Sequence, residues 1–371
     1  MENKKNYIAI THGDINGTGY EMILKSFDDP AMFELCTPIV YGSAKVADYY
    51  AHLLGIETNI FVINDVSEAQ PNRLNIINCL GKEEIEVTPG TPTPESGQAA
   101  QRAIDCAIND LKAGKLDKLV TLPVNRSMMK SFNGHTHYIE SKLGQAANGL
   151  SIIIGEDIRV SLVTNNLAIK DIAESITRQK IVEKGELLHQ ALRRDLRISS
   201  PRIAVLSLNP RCGEDGALGD EENDIIMPAV QDLEEKGIQT FGPYAADNFF
   251  GNGEYIHFDG ILAMYHDQGL SPFKTLSPEW GVRFTTGLPF IRTAPACSAQ
   301  FEIAGRNQAQ PDSLRHAIYM ALDAQRNRKD YDEPYANPLP KLYHEKRDDS
   351  EKVRFRSSDD KRQQPAQAKN A

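Results

Sequence analysis

The chain has 371 residues, 40% of them hydrophobic and 25% charged, with room for about two domains of an ordinary globular protein. Its net charge of −10 excludes a general nucleic-acid binder, and five scattered cysteines without a CxxC pair point to reduced thiols rather than a disulfide framework. No apolar leader follows Met1 and no run nears the ~20 apolar residues of a membrane span, so a cytoplasmic protein with no membrane partner is expected.

Strand-like runs alternate with helical patterns from the start. Residues 7–10 predict a strand, followed by the glycine loop Gly13-Asp14-Ile15-Asn16-Gly17-Thr18-Gly19 and a helix over 20–27. Strand 38–41 precedes helix 44–54, and strands 59–63 and 74–78 follow. The clearest helix covers 95–113, where Ala99, Ala103, Cys106, Ala107 and Leu111 recur at helical spacing. Strands at 118–122, 160–164, 203–208 and 260–263 come next, with helices over 179–194 and 224–236. The last helix covers 313–326, with Asp312 placed to cap it. This alternation predicts α/β layers around a largely parallel sheet. From about Lys341, charge runs such as Glu345-Lys346-Arg347-Asp348-Asp349 lead into Gln363-Gln364-Pro365, a composition that predicts a mobile tail.

Two predicted strands end in stretches rich in chemistry. Residues 203–208 run into Asn209-Pro210-Arg211-Cys212-Gly213-Glu214, and residues 261–263 into Met264-Tyr265-His266-Asp267-Gln268-Gly269. Ligands of open α/β sheets bind beyond the carboxyl ends of the strands, so both stretches read as loops lining one site. His266 and Asp267 suit either metal ligation or acid–base work. The 13–19 loop has G-x-x-x-G-x-G spacing, not the dinucleotide fingerprint, and reads equally as a tight strand–helix turn. Gly134-His135-Thr136-His137 offers two imidazoles, either as metal ligands on an extended segment or as hydrogen-bond donors to an anion. Lys274, Arg283, Arg292 and Arg306 cluster downstream as candidate clamps for phosphate or carboxylate.

At these residues the chain resembles the 4-hydroxythreonine-4-phosphate dehydrogenase family of vitamin B6 biosynthesis. The resemblance spans about residues 7 to 325. It is carried by Thr11-His12-Gly13-Asp14, Gly134-His135-Thr136, Leu208-Asn209-Pro210, Gly213-Glu214, Leu262–Gly269, Gly287–Thr293 and Ala304-Gly305-Arg306. It implies a homodimer of two-domain α/β subunits with the isocitrate and isopropylmalate dehydrogenase fold and an interdomain cleft. The domains would be 1–128 with 300–340, and 129–299 carrying dimer contacts, before the charged tail at 341–371.

The implied reaction is NAD- or NADP-dependent oxidation of a secondary alcohol, 4-phosphohydroxy-threonine, to a β-keto acid that decarboxylates to an amino ketone phosphate. The resemblance assigns substrate binding to His135, Thr136, Lys274, Arg283 and Arg292, and cofactor binding to Ser298, Ala299 and Glu302. It also implies a divalent metal (zinc, magnesium or cobalt) on three histidines. His266 fills one of those positions, but Asn166 and Arg211 stand at the other two. A guanidinium has no lone pair to give a cation, so Arg211 is expected to supply charge in the metal's place, with Lys274 and Asp267 moving protons. Alternatives are a dehydrogenase for another phosphorylated four-carbon acid, or a non-catalytic phospho-ligand binding homologue.

Overall fold

The computed structural model describes residues 6–57, 59–80, 86–144, 148–278 and 281–336. Its first strands are β1 (Tyr7–Thr11), β2 (Thr37–Gly42), β3 (Ile60–Ile63), β4 (Leu74–Asn78) and β5 (Lys118–Thr121). Between and after them come α1 (Gly19–Phe27), α2 (Ala31–Leu35), α3 (Ala44–Leu54) and α4 (Pro94–Lys112). Local chemistry fixes these boundaries. Ser43 caps α3 by accepting from Val46, and Gly55 ends it in the left-handed conformation. Thr93 and Ser96 close a reciprocal capping box on α4, with Pro94 in its first turn.

The rest of the chain contributes α5 (His135–Leu143), β6 (Leu150–Ile154), β7 (Arg159–Leu162), α6 (Ile172–Ser175) and α7 (Arg178–Gln190). After these come β8 (Arg202–Leu206), α8 (Met227–Glu235), β9 (Gln239–Tyr244), α9 (Ala246–Gly251) and β10 (Gly260–Ala263). The series ends with α10 (His266–Leu276), β11 (Val282–Thr286), β12 (Ile291–Pro295) and α11 (Asp312–Ala336). The charged tail from Lys341 lies outside the described residues. Asp312 is the first residue of α11 and reaches Arg315 at 3.5 Å, so it acts as a first-turn acid.

All these strands join one sheet in the order β3-β4-β2-β1-β5-β12-β11-β6-β7-β10-β8-β9. Neighbours are parallel except at β12–β11, β11–β6 and β6–β7. The sheet is thus largely parallel, as expected, but its centre reverses. Short connections cause two of these reversals, β6–β7 and β11–β12: residues 155–158 and 287–290 are too few for a crossover, so each can only join antiparallel neighbours.

Alternate residues of each strand serve opposite faces. Ile8, Ile10, Val120, Ile152, Ile154 and Leu262 pack on one face against α1, α3, α7, α8 and α11. On the other face, Ala9, Ile39 and Leu119 meet α4, while Ile153, Val160, Leu162 and Ile261 meet α9 and α10. Among the described residues, no helix is long and apolar enough to cross a membrane.

Candidate functional site

Strand register assembles the cations. Thr285 of β11 pairs directly with Arg292 of β12, and Arg283 lies two residues earlier, on the same face as Thr285. Arg283 also faces Ile153 across the β11–β6 pairing. Arg292 is 1% exposed. Its Nε donates to Thr121 Oγ1 at 3.1 Å and its Nη1 to Thr285 Oγ1 at 3.1 Å, with a further bond from Nη2 to Thr121. Arg283 Nη1 donates to Ser151 Oγ at 3.2 Å. Every one of these acceptors is a neutral hydroxyl. Burial therefore pushes Arg292 down to about 9, aided by repulsion from Arg283, and Arg283 down to about 10, with Arg126 adding to it.

His135 stands in the field of the same groups. Burial and the charges of Arg292, Arg283 and Arg126 hold it well below the ordinary histidine range, so it is neutral. Its Nε2 is buried without a partner, which leaves a hydrogen-bonding atom free for a ligand. Gly134-His135-Thr136-His137 is not an extended segment. It opens helix α5, and Gly134, at φ +103°, precedes it without a side-chain cap. The i, i+2 histidines therefore point to different sides, His137 is exposed, and a two-histidine metal clip is ruled out by geometry. The uncapped N–H groups add donors to the same corner.

A cavity of about 190 Å³ adjoins this cluster. It is lined by His266, Leu270, Phe273 and Lys274, a single stripe of α10, together with Arg283 and Ser298. The expected loop after β10 is only Met264 and Tyr265, after which the chain turns directly into α10. This puts His266 and Asp267 in the first helical turn. His266 Nδ1 lies 2.8 Å from an Asp267 carboxylate oxygen, which leaves Nε2 as the open nitrogen. Asp267 itself is 75% exposed.

The cofactor residues of the sequence reading separate. Ser298 is exposed on the cavity wall and Glu302 is exposed, but Ala299 is buried. The Ala299 carbonyl accepts from Thr18 N at 3.1 Å and Thr18 Oγ1 at 3.3 Å. A Cβ on Gly17 would sit 2.8 Å from that carbonyl, and one on Gly19 would meet the His12 carbonyl. The glycine loop is therefore a buried strand–helix turn braced by the 296–300 segment.

Arg211 is not among the cavity-lining residues. It lies 71% exposed and pairs with Glu214 at 2.7 Å, within a run of left-handed residues from Arg211 to Asp215. That turn is anchored from beneath by buried Glu222, which accepts from Leu208 N, Asn209 N and Asn209 Nδ2. Arg306 is exposed and takes no part in the cluster. What the sequence reading passed over is Arg126. It follows β5 by a few residues, at the carboxyl end of a strand, the position used to single out the other two stretches. Its Nη1 donates to Asn166 Oδ1 at 3.0 Å.

The sequence profile of the family described as "Pyridoxal phosphate biosynthetic protein PdxA" matches residues 34–321. The chain belongs to the PdxA family. A 4-hydroxythreonine-4-phosphate dehydrogenase of Bacteroides thetaiotaomicron is 50% identical over 364 residues, covering 97% of this chain and 100% of the relative. The crystal structure of the enzyme of that name from Burkholderia phymatum superposes with a TM-score of 0.70 at 32% identity, covering 87% of this chain and 99% of the other. The corresponding Klebsiella pneumoniae structure gives 0.73 at 29% identity, covering 88% and 100%.

The PdxA family is metal-dependent, yet the residues here do not fit a metal. Among the described residues, no group of three histidines, cysteines or carboxylates could hold an ion. Asn166 Oδ1, the one atom of that side chain able to bind a cation, is taken by the Arg126 guanidinium, and Asn166 Nδ2 donates to Asn133 O at 3.3 Å. Arg211 repels a cation and is turned toward Glu214. Ser298 offers a hydroxyl on the cavity wall, and Glu302 lies exposed four residues further on.

Proposed function

We propose that this PdxA-family chain is an NAD(P)-dependent dehydrogenase that oxidises the secondary alcohol of 4-phosphohydroxy-threonine. The β-keto acid formed loses carbon dioxide and leaves an amino ketone phosphate for pyridoxal phosphate synthesis. One observation carries the reading: two guanidiniums without a carboxylate partner, Arg283 and Arg292, beside a cavity that also presents Lys274 and His266. Arg283, Arg292, His135 and Thr136 grip the phosphoryl group. His266 Nε2, oriented by Asp267, takes the hydroxyl proton, and Lys274 returns one to the carbon left by decarboxylation. Ser298 and Glu302 would hold a nicotinamide cofactor, which when bound would supply the hydride acceptor, and Ala299 supports that segment through its bond to Thr18.

The working form is a cytoplasmic homodimer of two-domain subunits, 1–128 with 300–340 and 129–299. Free thiols at every cysteine support the compartment. Exposed Leu167, Ile169, Leu218 and Met227 offer apolar surface that supports a second copy.

The test is reduced-nucleotide formation from 4-phosphohydroxy-threonine with NAD or NADP in the presence of a chelator. Turnover is expected. Its absence with both nucleotides would overturn the reading. A second reading, a phospho-ligand binder without redox activity, is favoured by the Arg126 bond to Asn166 that displaces the metal. Stabilisation by phosphate but by neither dinucleotide would establish it. A shifted substrate, another phosphorylated four-carbon acid, is separated by screening such acids in the same assay.

A further inference from the structure

Three guanidiniums, not two, act on His135: those of Arg292, Arg283 and Arg126. Arg126 comes from a different part of the chain, a single turn of helix after β5, and its place is set by two contacts. Its Nη1 donates to Asn166 Oδ1 at 3.0 Å, and its guanidinium lies beside Gly134. A Cβ built on Gly134 would stand 3.5 Å from Arg126 Nη2 and 3.7 Å from Asn166 Nδ2. The guanidinium is thus seated at the uncapped start of α5, directly before His135. Among the described residues, none of the three arginines pairs with a carboxylate; their partners are Asn166, Ser151, Thr121 and Thr285.

Like charges gathered without acids raise the free energy of the empty site. They are held there by the surrounding sheet and not by one another. An anion relieves that cost and receives directed, charge-assisted donors. Two of the guanidiniums are supplied by paired strands. The third stands on Asn166, the side chain at one of the metal-ligand positions implied by the family resemblance.

We propose that Arg126 is a ligand-binding residue of this site: with Arg283 and Arg292 it binds the anionic groups of a phosphorylated acid, and it does so without a divalent cation. This rests on the phospho-substrate reading above, but it concerns binding and not turnover. Asn166 is then a positioning residue that holds the Arg126 fork instead of an ion. The ligand class is an acid with at least two negative charges, because a single charge would leave most of the cluster uncompensated.

The experiment measures binding of inorganic phosphate and of 4-phosphohydroxy-threonine to the full chain by calorimetry, in a chelator and then with added zinc or magnesium. Arg126→Gln should weaken both ligands roughly 10–100-fold, the loss of one or two charge-assisted hydrogen bonds. Its ligand-free melting temperature should be unchanged or higher, since a repelling charge is gone. Arg326→Gln removes the same charge from a side chain 71% exposed on α11 and should leave binding unaltered. Should the glutamine variant misfold, Arg126→Lys keeps the charge without the planar fork and should bind with intermediate affinity. Undiminished affinity in the Arg126 variants would overturn the proposal. So would binding that appears only with added metal, or a fall in ligand-free stability matching the loss of affinity. Absence of dehydrogenase turnover alongside Arg126-dependent phosphate binding would count against the enzymatic reading alone.

Discussion

Removing a deeply buried cation that has no acidic partner should make the empty protein more stable. Arg292 is 1% exposed and has only hydroxyl partners, and its pKa is pushed down to about 9, well below the ordinary guanidinium range. At 1.36 kcal/mol per pH unit, that corresponds to about 5 kcal/mol of disfavoured charge. Arg292→Met removes this cost. It gives back about 1–2 kcal/mol through imperfect filling of the space and through unpaired Thr121 and Thr285 hydroxyls. A net gain of about 2–4 kcal/mol is therefore expected in phosphate-free buffer, read by urea unfolding with the slope m compared between variants. Added phosphate should stabilise the parent and not the variant, because only the parent binds it. A ligand-free variant less stable than the parent by about 2 kcal/mol or more would refute the reasoning. It would mean that the Arg292 charge is already neutralised.

Two further outcomes follow from buried polar groups. Glu222→Ala strips acceptors from Leu208 N, Asn209 N and Asn209 Nδ2, all beneath the left-handed turn at 211–215. It should cost about 2–4 kcal/mol and speed hydrogen exchange across 208–216; an unaltered melt would argue that the turn supports itself. His12 is fully buried, its ring stacked on Tyr20 and its nitrogens near the backbone of Gly13 and Ala99 without completing a hydrogen bond. Desolvation lowers its pKa from 6.5 to about 4, so the unfolded chain binds the extra proton between those values. Its contribution, about 3 kcal/mol, is full above pH 6.5 and is lost as pH falls through about 4. His12→Phe should flatten the stability profile between pH 4 and 6.5, and an identical slope in both proteins would reject this account.

Strands and helices whose signals are local can be read from the chain alone. Ala44–Leu54 and Gly260–Ala263 are legible to the residue, because a Ser cap, an αL glycine and an apolar run act within a few positions. The sequence also dictates the chemistry available, since a guanidinium at 211 cannot ligate a metal wherever it sits. Tertiary structure decided which charges meet. Arg283 and Arg292 share a face only because the 287–290 connection is short enough to force β11 against β12 in one register. The helical start at Gly134 and the bond from Arg126 to Asn166 join residues 40 apart in sequence, a proximity that no periodicity encodes. Arg211, conspicuous as a motif residue, finds its carboxylate three positions away and turns outward. Local propensity is written in neighbouring residues. A binding site depends on the global packing that brings distant ones within hydrogen-bond reach.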